Sequence, residues 1–204
     1  MDDERRGRRQ EQIELAAYRV LERKGFAGAT VQAIAREARA SNETLYNWYG
    51  DKTGLFHSLV ARNAQAVREA LQTRIALQAP PLEALAAVGP DLLALLTHPR
   101  AVALNRAAAA DPGGELAQAI AQAGRQTVGP LIAQLLLEAR NRGELDFDDA
   151  EAALALYLDL LAGDLQHRRV IGLIPAPGAQ SCRSRATLAL ARLHALCADP
   201  ATRP

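Results

Sequence analysis

The chain has 204 residues, 49% of them hydrophobic and 23% charged, with 43 Ala, 31 Leu and only 8 aromatics. That balance excludes a disordered tail and suits one or two small domains, with Ala and Leu favouring helix because neither loses much rotamer freedom there. Lys and Arg total 24 against 23 Asp and Glu, so the formal net charge of +1 gives no sign of a nucleic-acid partner, and only its distribution can.

Helical periodicity runs from about Arg9 to Lys24, with Ile13, Ala16, Ala17, Val20 and Leu21 on one stripe and Gly25 placed to end it. Thr30 caps a short second helix in which Val31, Ile34, Ala35 and Ala38 form an apolar face. Ser41 caps a third, Asn42 to Tyr49, and Asp51 a fourth that begins at Lys52. Punctuation at Pro80-Pro81, His98-Pro99, Asp111 to Gly114, Arg142-Gly143 and Gly172 to Gly178 then separates further helices at 82–97, 100–110, 115–141, 148–171 and 180–198. Gly124, Gly129 and Pro130 are expected to kink or divide the 115–141 segment. Strand signals are nearly absent. The predicted fold is all-α, with about nine helices: an N-terminal three-helix domain over residues 1–51, carrying a basic arm, and a larger helical domain over 52–204.

Several function classes fall away. The longest uncharged stretch, Val170 to Cys182, has 13 residues and contains two prolines, short of the roughly 18 that a membrane span requires. The N-terminus MDDERRGRRQ lacks the apolar core of a secretory signal, and Cys182 and Cys197 are the only cysteines, so a cytoplasmic protein without a disulfide framework is expected. His57, His98, His167 and His194 are scattered, no GxSxG, HExxH or glycine-rich phosphate loop occurs, and Asp148-Asp149 fits helix capping better than acid/base chemistry. No enzyme, metal or cofactor is expected.

The second and third helices, joined by a tight turn at Arg39-Ala40, have helix-turn-helix spacing. Ala35 is small where the two helices cross, and Ile34, Leu45 and Tyr49 fill the space beneath. The third helix then exposes Asn42, Glu43, Thr44, Tyr46, Asn47 and Trp48, groups able to hydrogen-bond or stack in a major groove. Spacing alone fits an ordinary amphipathic helix pair equally well. Charge distribution favours the DNA reading modestly: residues 5–52 hold ten basic and six acidic side chains, with Arg5, Arg6, Arg8 and Arg9 clustered where a flexible arm would reach phosphates or a minor groove. Asp2, Asp3 and Glu4 beside them weaken that field.

The stretch GFAGATVQAIAREARASNETLYNWYGDKTGLFHSL, from Gly25 through Leu59, resembles the DNA-binding domain of the TetR/AcrR family of bacterial transcriptional regulators. The resemblance rests on the Gly25-Phe26 pair, Thr30, Ile34-Ala35, Ala38, Ser41, Thr44-Leu45-Tyr46, Tyr49, Lys52 and Leu55. It implies that Thr30 contacts phosphate through its hydroxyl and the helix-end amides. It further implies that Ser41 and Thr44 approach phosphate or base edges, that Tyr46 bonds a phosphate, that Lys52 anchors the DNA backbone, and that Asn47 and Trp48 lie against the backbone or a thymine methyl. Tyr49 reads as core.

Three positions depart from the family pattern. Arg39 stands where glycine is usual and so sits at positive φ at a cost of about 1 kcal/mol, either reaching guanine or phosphate or standing solvated. Asn42 and Glu43 replace a commoner Lys-Gly pair. Glu43 repels phosphate but accepts from cytosine N4, so an operator sequence does not carry over from relatives.

In this family the C-terminal part dimerises and encloses a small-molecule pocket. Leu154, Leu158, Leu161 and Leu165 repeat at helical spacing, and Leu190 and Leu193 do so on the last helix; together they would form a four-helix interface between two chains, or pack within one. The segment LLAGDLQHRRVIG resembles AefR-like C-terminal domains. No pocket residue is identified. The expected function is a ligand-responsive repressor that binds a palindromic operator as a homodimer, with double-stranded DNA and a small-molecule effector as partners. The alternative is a helical small-molecule-binding or interaction module that does not bind DNA.

Overall fold

The computed structural model describes residues 2–197, with side chains from Glu4 onward. Every regular element among the described residues is helical: α1 (Asp2–Gly28), α2 (Val31–Ala38), α3 (Asn42–Tyr49), α4 (Lys52–Ala76), α5 (Pro81–Thr97), α6 (Pro99–Ala109), α7 (Glu115–Ile120), α8 (Gln126–Asn141), α9 (Ala150–Ala162), α10 (Leu165–Val170) and α11 (Ala179–Leu196). The expected end of the last helix, at position 198, lies outside the described residues. The all-helical fold agrees with the composition; one helix divides as expected and two differ from expectation.

Segment 115–141 divides where a π-helical turn, Ala121–Arg125, holds Gly124, in keeping with the kink expected there. Segment 148–171 is two helices, because Gly163 takes φ 50° and ends α9. Periodicity does not reveal this break, since the apolar pattern runs on past the glycine into Leu165. The second difference is at the N-terminus: the basic residues expected as a flexible arm lie in α1, which is helical from Asp2 and bends only at Gly25 (φ 64°).

The chain forms two compact units. One takes in the described chain through Asn63 together with Pro99–Gly124, and the other Ala64–His98 together with the chain from Arg125. The boundary expected at 51/52 thus differs from the unit limits, and α6 and α7 share a unit with the N-terminal helices.

In the first unit, Ile13, Ala16, Ala17, Val20 and Leu21 of α1 meet Ile34 and Ala35 of α2, Leu45 of α3, Leu55, Phe56 and Leu59 of α4, and Leu104 and Leu116 of α6 and α7. Phe26 packs edge-on against Phe56, with centroids 5.2 Å apart. Glu37 of α2 accepts from Arg19 at 2.8 Å and from Arg23, both on α1. Hydrogen bonding from Arg19 and then Arg23 holds its carboxyl below the usual range.

A second carboxylate in this unit has the opposite sign. Glu14 of α1 is 5% exposed, with Arg62 of α4 3.0 Å away in a geometry that leaves Oε1 without a hydrogen bond. Burial raises its pKa, and the opposing charges of Arg62 and Arg100 do not cancel that effect. A carboxyl raised in the folded state keeps its full contribution to stability below the ordinary carboxylate range and loses it as pH rises through the raised value. Glu14→Gln should therefore flatten the pH profile of thermal unfolding and be more stable than the wild type at neutral pH. A variant less stable at neutral pH would show that the arginines outweigh burial.

The second unit is built on Leu71, Leu85, Leu93, Ile132, Leu135, Leu136, Tyr157, Leu161 and Leu193. Pro81 opens α5 where the missing N–H costs nothing. Asp149 caps α9 by accepting from the amides of Glu151 and Ala152, the capping role read from Asp148-Asp149. Arg169 of α10 donates to the carbonyls of Thr97 and Ile174, and Gln166 to that of Leu96.

Candidate nucleic-acid interface

The short helices α2 and α3 exist because their ends are capped. Thr30 Oγ1 accepts from Ala33 N at 3.1 Å, and Ser41 Oγ from Thr44 N at 3.0 Å; each cap contributes about 1 kcal/mol. Between them Arg39 takes φ 51° and ψ 43°, the left-handed turn expected from the missing glycine. The turn closes as a Schellman pair, with Arg39 N donating to Arg36 O at 3.2 Å and Ala40 N to Ala35 O at 2.9 Å. These two bonds offset the strain of roughly 1 kcal/mol.

One face of α3 is committed to the core through Leu45, 1% exposed. On the other, Asn42, Glu43, Tyr46 and Asn47 are exposed, as are Arg39 and Ser41 in the turn before it and Thr30 at the head of α2. Thr44, Trp48 and Lys52 are half-buried. Nine of the ten residues singled out for DNA contact thus lie on α3 or on the turns and helix start that flank it, and the tenth, Thr30, caps the start of α2.

Several of the ten have partners that the sequence does not indicate. Ser41 Oγ and Thr44 Oγ1 lie 2.8 Å apart. One hydroxyl hydrogen serves that bond and the other is available to a phosphate oxygen, so the capping pair can still donate outward. Lys52 Nζ sits 3.6 Å from the centroid of the Phe26 ring, a cation–π contact that fixes the ammonium at the head of α4. Trp48 packs edge-on to Tyr49 at 6.4 Å, with the Arg6 guanidinium 5.7 Å from its own ring centroid.

Tyr49 is half-buried and its hydroxyl is buried without a hydrogen-bond partner. Burial, with a smaller contribution from Glu14, pushes its pKa up to about 12, so the phenol stays neutral and its ring serves the core. Tyr49, Trp48, Arg6, Gln10, Gly54 and Ser58 line a cleft of about 160 Å³.

Much of the positive surplus of residues 5–52 is engaged within the fold. Arg19 and Arg23 bind Glu37, Lys52 stacks on Phe26, and Arg9 donates to backbone carbonyls of the turn at 38–39. A count along the sequence cannot see these partners, because most of them come from α2 and from the turn that follows it.

The leucines expected at a two-chain interface divide into two groups. Leu161 and Leu193 are 0% exposed in the core of their own unit and have no surface to offer a partner. Leu154, Leu158, Leu165 and Leu190 are partly buried against that core. Helical spacing puts all six on two stripes but cannot distinguish a stripe facing the same chain from one facing another. Among the described residues, no group of three or more His, Cys, Asp or Glu side chains stands together to hold a metal ion, and no helix is long and apolar enough to cross a membrane.

Residues 14–59 match the description "bacterial regulatory proteins, tetR family", and residues 83–194, more than half of the chain, match "AefR-like transcriptional repressor, C-terminal domain". The chain belongs to the TetR family. Among solved structures, a TetR transcriptional regulator from Agrobacterium tumefaciens is 28% identical, with a TM-score of 0.71 and coverage of 94% of this chain and 95% of that one. The flavonoid-responsive regulator FrrA is 26% identical, with a TM-score of 0.69 and coverage of 95% and 99%. FadR from Bacillus subtilis, solved with stearoyl-CoA, shares the fold at 19% identity, with a TM-score of 0.70 and coverage of 90% and 96%. No curated protein matches the chain. TetR-family proteins are transcriptional regulators, not enzymes, and this chain carries their helix-turn-helix at α2–α3.

Proposed function

We propose that the protein is a cytoplasmic, ligand-responsive repressor that binds a palindromic operator as a homodimer. The observation that carries this reading is the division of α3: Leu45 is committed to the core, while Asn42, Glu43, Tyr46 and Asn47 stand exposed on a capped helix in a TetR fold. Asn42 and Glu43 read base edges, and Asn47 lies against the backbone or a thymine methyl. Thr30, Ser41, Thr44, Tyr46 and Lys52 hold phosphates, Trp48 lies against the backbone, and Arg39 reaches the groove from its left-handed turn. One eight-residue helix grips few base pairs, and pairing two half-sites restores affinity and specificity.

Dimerisation is assigned to α9, α10 and α11, through the partly exposed Leu154 and Leu158 of α9, Leu165 of α10 and Leu190 of α11, joined by Leu188, which is 43% exposed. Effector binding is assigned to the second compact unit, narrower than the 52–204 expected from sequence. The flavonoid response in FrrA's name and the stearoyl-CoA bound to FadR support a small-molecule effector in this architecture. The effector acts by binding the operator-competent state less tightly than its alternative, and its effect is bounded by that difference.

The test is titration of the purified protein against DNA from upstream of its own gene at several salt concentrations. Affinity should fall steeply with salt, and Lys52→Gln should lower the slope of log K against log salt by about 0.9, one phosphate contact. A Lys52 variant with unchanged slope would remove that residue from the interface. Absence of binding at low salt to this and every other genomic fragment would favour the module without DNA binding.

A further inference from the structure

Of the four N-terminal arginines of α1, the residues that charge most readily assigns to DNA, Arg9 is hydrogen-bonded to the protein's own backbone. Arg9 is half-buried. Its Nη2 donates to Arg39 O at 2.6 Å and its Nη1 to Ala38 O at 3.3 Å, with the second Nη1 hydrogen held by Gln12 Oε1 at 3.0 Å. The two carbonyls belong to the left-handed turn that ends α2 and aims α3. Carbonyls at a helix C-terminus lack intrahelical partners and attract a cation. Arg39 holds a backbone conformation that glycine would adopt without strain. A planar guanidinium presents a separate nitrogen to each carbonyl at a fixed spacing, whereas a lysine ammonium has to serve both from one atom on a shorter stem and loses the fixed geometry. One helical turn earlier, Arg6 lies over Trp48 near the other end of α3, so α1 holds the recognition helix at both ends.

We infer that Arg9 is a positioning residue for DNA reading: it clamps the 38–39 turn and thereby sets the pose of α3, without itself contacting DNA. The inference rests on the reading of α3 as the recognition helix. Hydrogen bonds to base edges weaken steeply with distance and angle. Phosphate attraction tolerates small displacements. Loosening the turn therefore removes sequence discrimination first and leaves general affinity in place.

The experiment uses the full-length protein and two duplexes: the fragment that the wild type enriches most from sheared genomic DNA, and a shuffled duplex of the same length. Arg9→Lys keeps the charge but loses the planar pair of nitrogens that meets the two carbonyls in fixed geometry. Gln12→Ala keeps Arg9 and removes the oxygen that orients it. Arg9→Lys should weaken binding to the enriched duplex about tenfold, the loss typical of one mismatched base pair, with affinity for the shuffled duplex and the salt slope unchanged. Gln12→Ala should show the same selective loss to a smaller degree, and decides the matter if Arg9→Lys does not fold.

Two results would overturn the inference while leaving the recognition helix in place. One is Arg9→Lys binding both duplexes like the wild type, with Arg9→Gln weaker on both and its slope lower by about 0.9, the pattern of a phosphate contact. The other is a lowered melting temperature with no change in the folded protein's affinity for either duplex. Failure of the wild type to enrich any fragment would overturn the reading of α3, and this inference with it.

Discussion

Leu45→Ala should cost about 2–5 kcal/mol of stability, while Tyr46→Phe should leave stability within about 0.5 kcal/mol and weaken operator binding instead. The two residues are neighbours on α3, about 100° apart around its axis, and that turn carries the chain from the core face to the exposed one. Leu45 is 1% exposed, in one core cluster with Ile34 and Leu55, so truncation leaves a cavity that the packed helices can only partly close. Tyr46 is 46% exposed. Its hydroxyl donates to a phosphate in the proposed complex, and a hydrogen bond to a charged acceptor contributes about 1.5–3 kcal/mol, or roughly tenfold or more in affinity. Urea unfolding and DNA titration of both variants separate the core face of the helix from its reading face. Equal losses of stability in the two variants would mean that α3 has no free face.

Gly54→Ala is the second substitution with a large expected effect. A Cβ at this position would lie 2.1 Å from the carbonyl oxygen of Tyr49. The obstacle is backbone at the end of α3, so no side-chain rotation relieves it. The amide of Gly54 donates at 2.7 Å to Asp51 Oδ1, which holds the first turn of α4 in place. Alanine would ordinarily favour a helix by about 1 kcal/mol over glycine. Here it should destabilise by about 1–3 kcal/mol and shift α3 against α4, lowering DNA affinity as well. Thermal unfolding of Gly54→Ala gives the sign, and a stabilised variant would show that the approach of α4 to Tyr49 is not tight.

These cases divide what is legible in the sequence from what is not. Caps and apolar stripes are local, so Thr30, Ser41 and the Leu45 face follow from residue type and spacing, whereas the left-handed Arg39 follows from the resemblance, which puts a glycine at that position. Gly54 does not, because its reason is a carbonyl five residues back, brought close by the α3–α4 turn. Arg9 does not either: in sequence it is one of four arginines near a terminus, and only the packing of α1 against the turn at 38–39 turns it inward. The same limit applies to the leucines. Spacing locates the stripes on α9 and α11, but which of them face their own core depends on α5 and α8, far away in the chain. The compact unit that joins α6 and α7 to the N-terminal helices is likewise a matter of long-range contact.

The central claim, that α3 reads DNA as one of a pair, is tested most directly by selecting fragments of genomic DNA with the purified protein and footprinting the retained fragments. An inverted repeat should be protected, with half-site centres about 10 base pairs apart or a multiple of that, and Tyr46→Phe should weaken the protection. Retention of no fragment at low salt, or of fragments sharing no sequence, would contradict it.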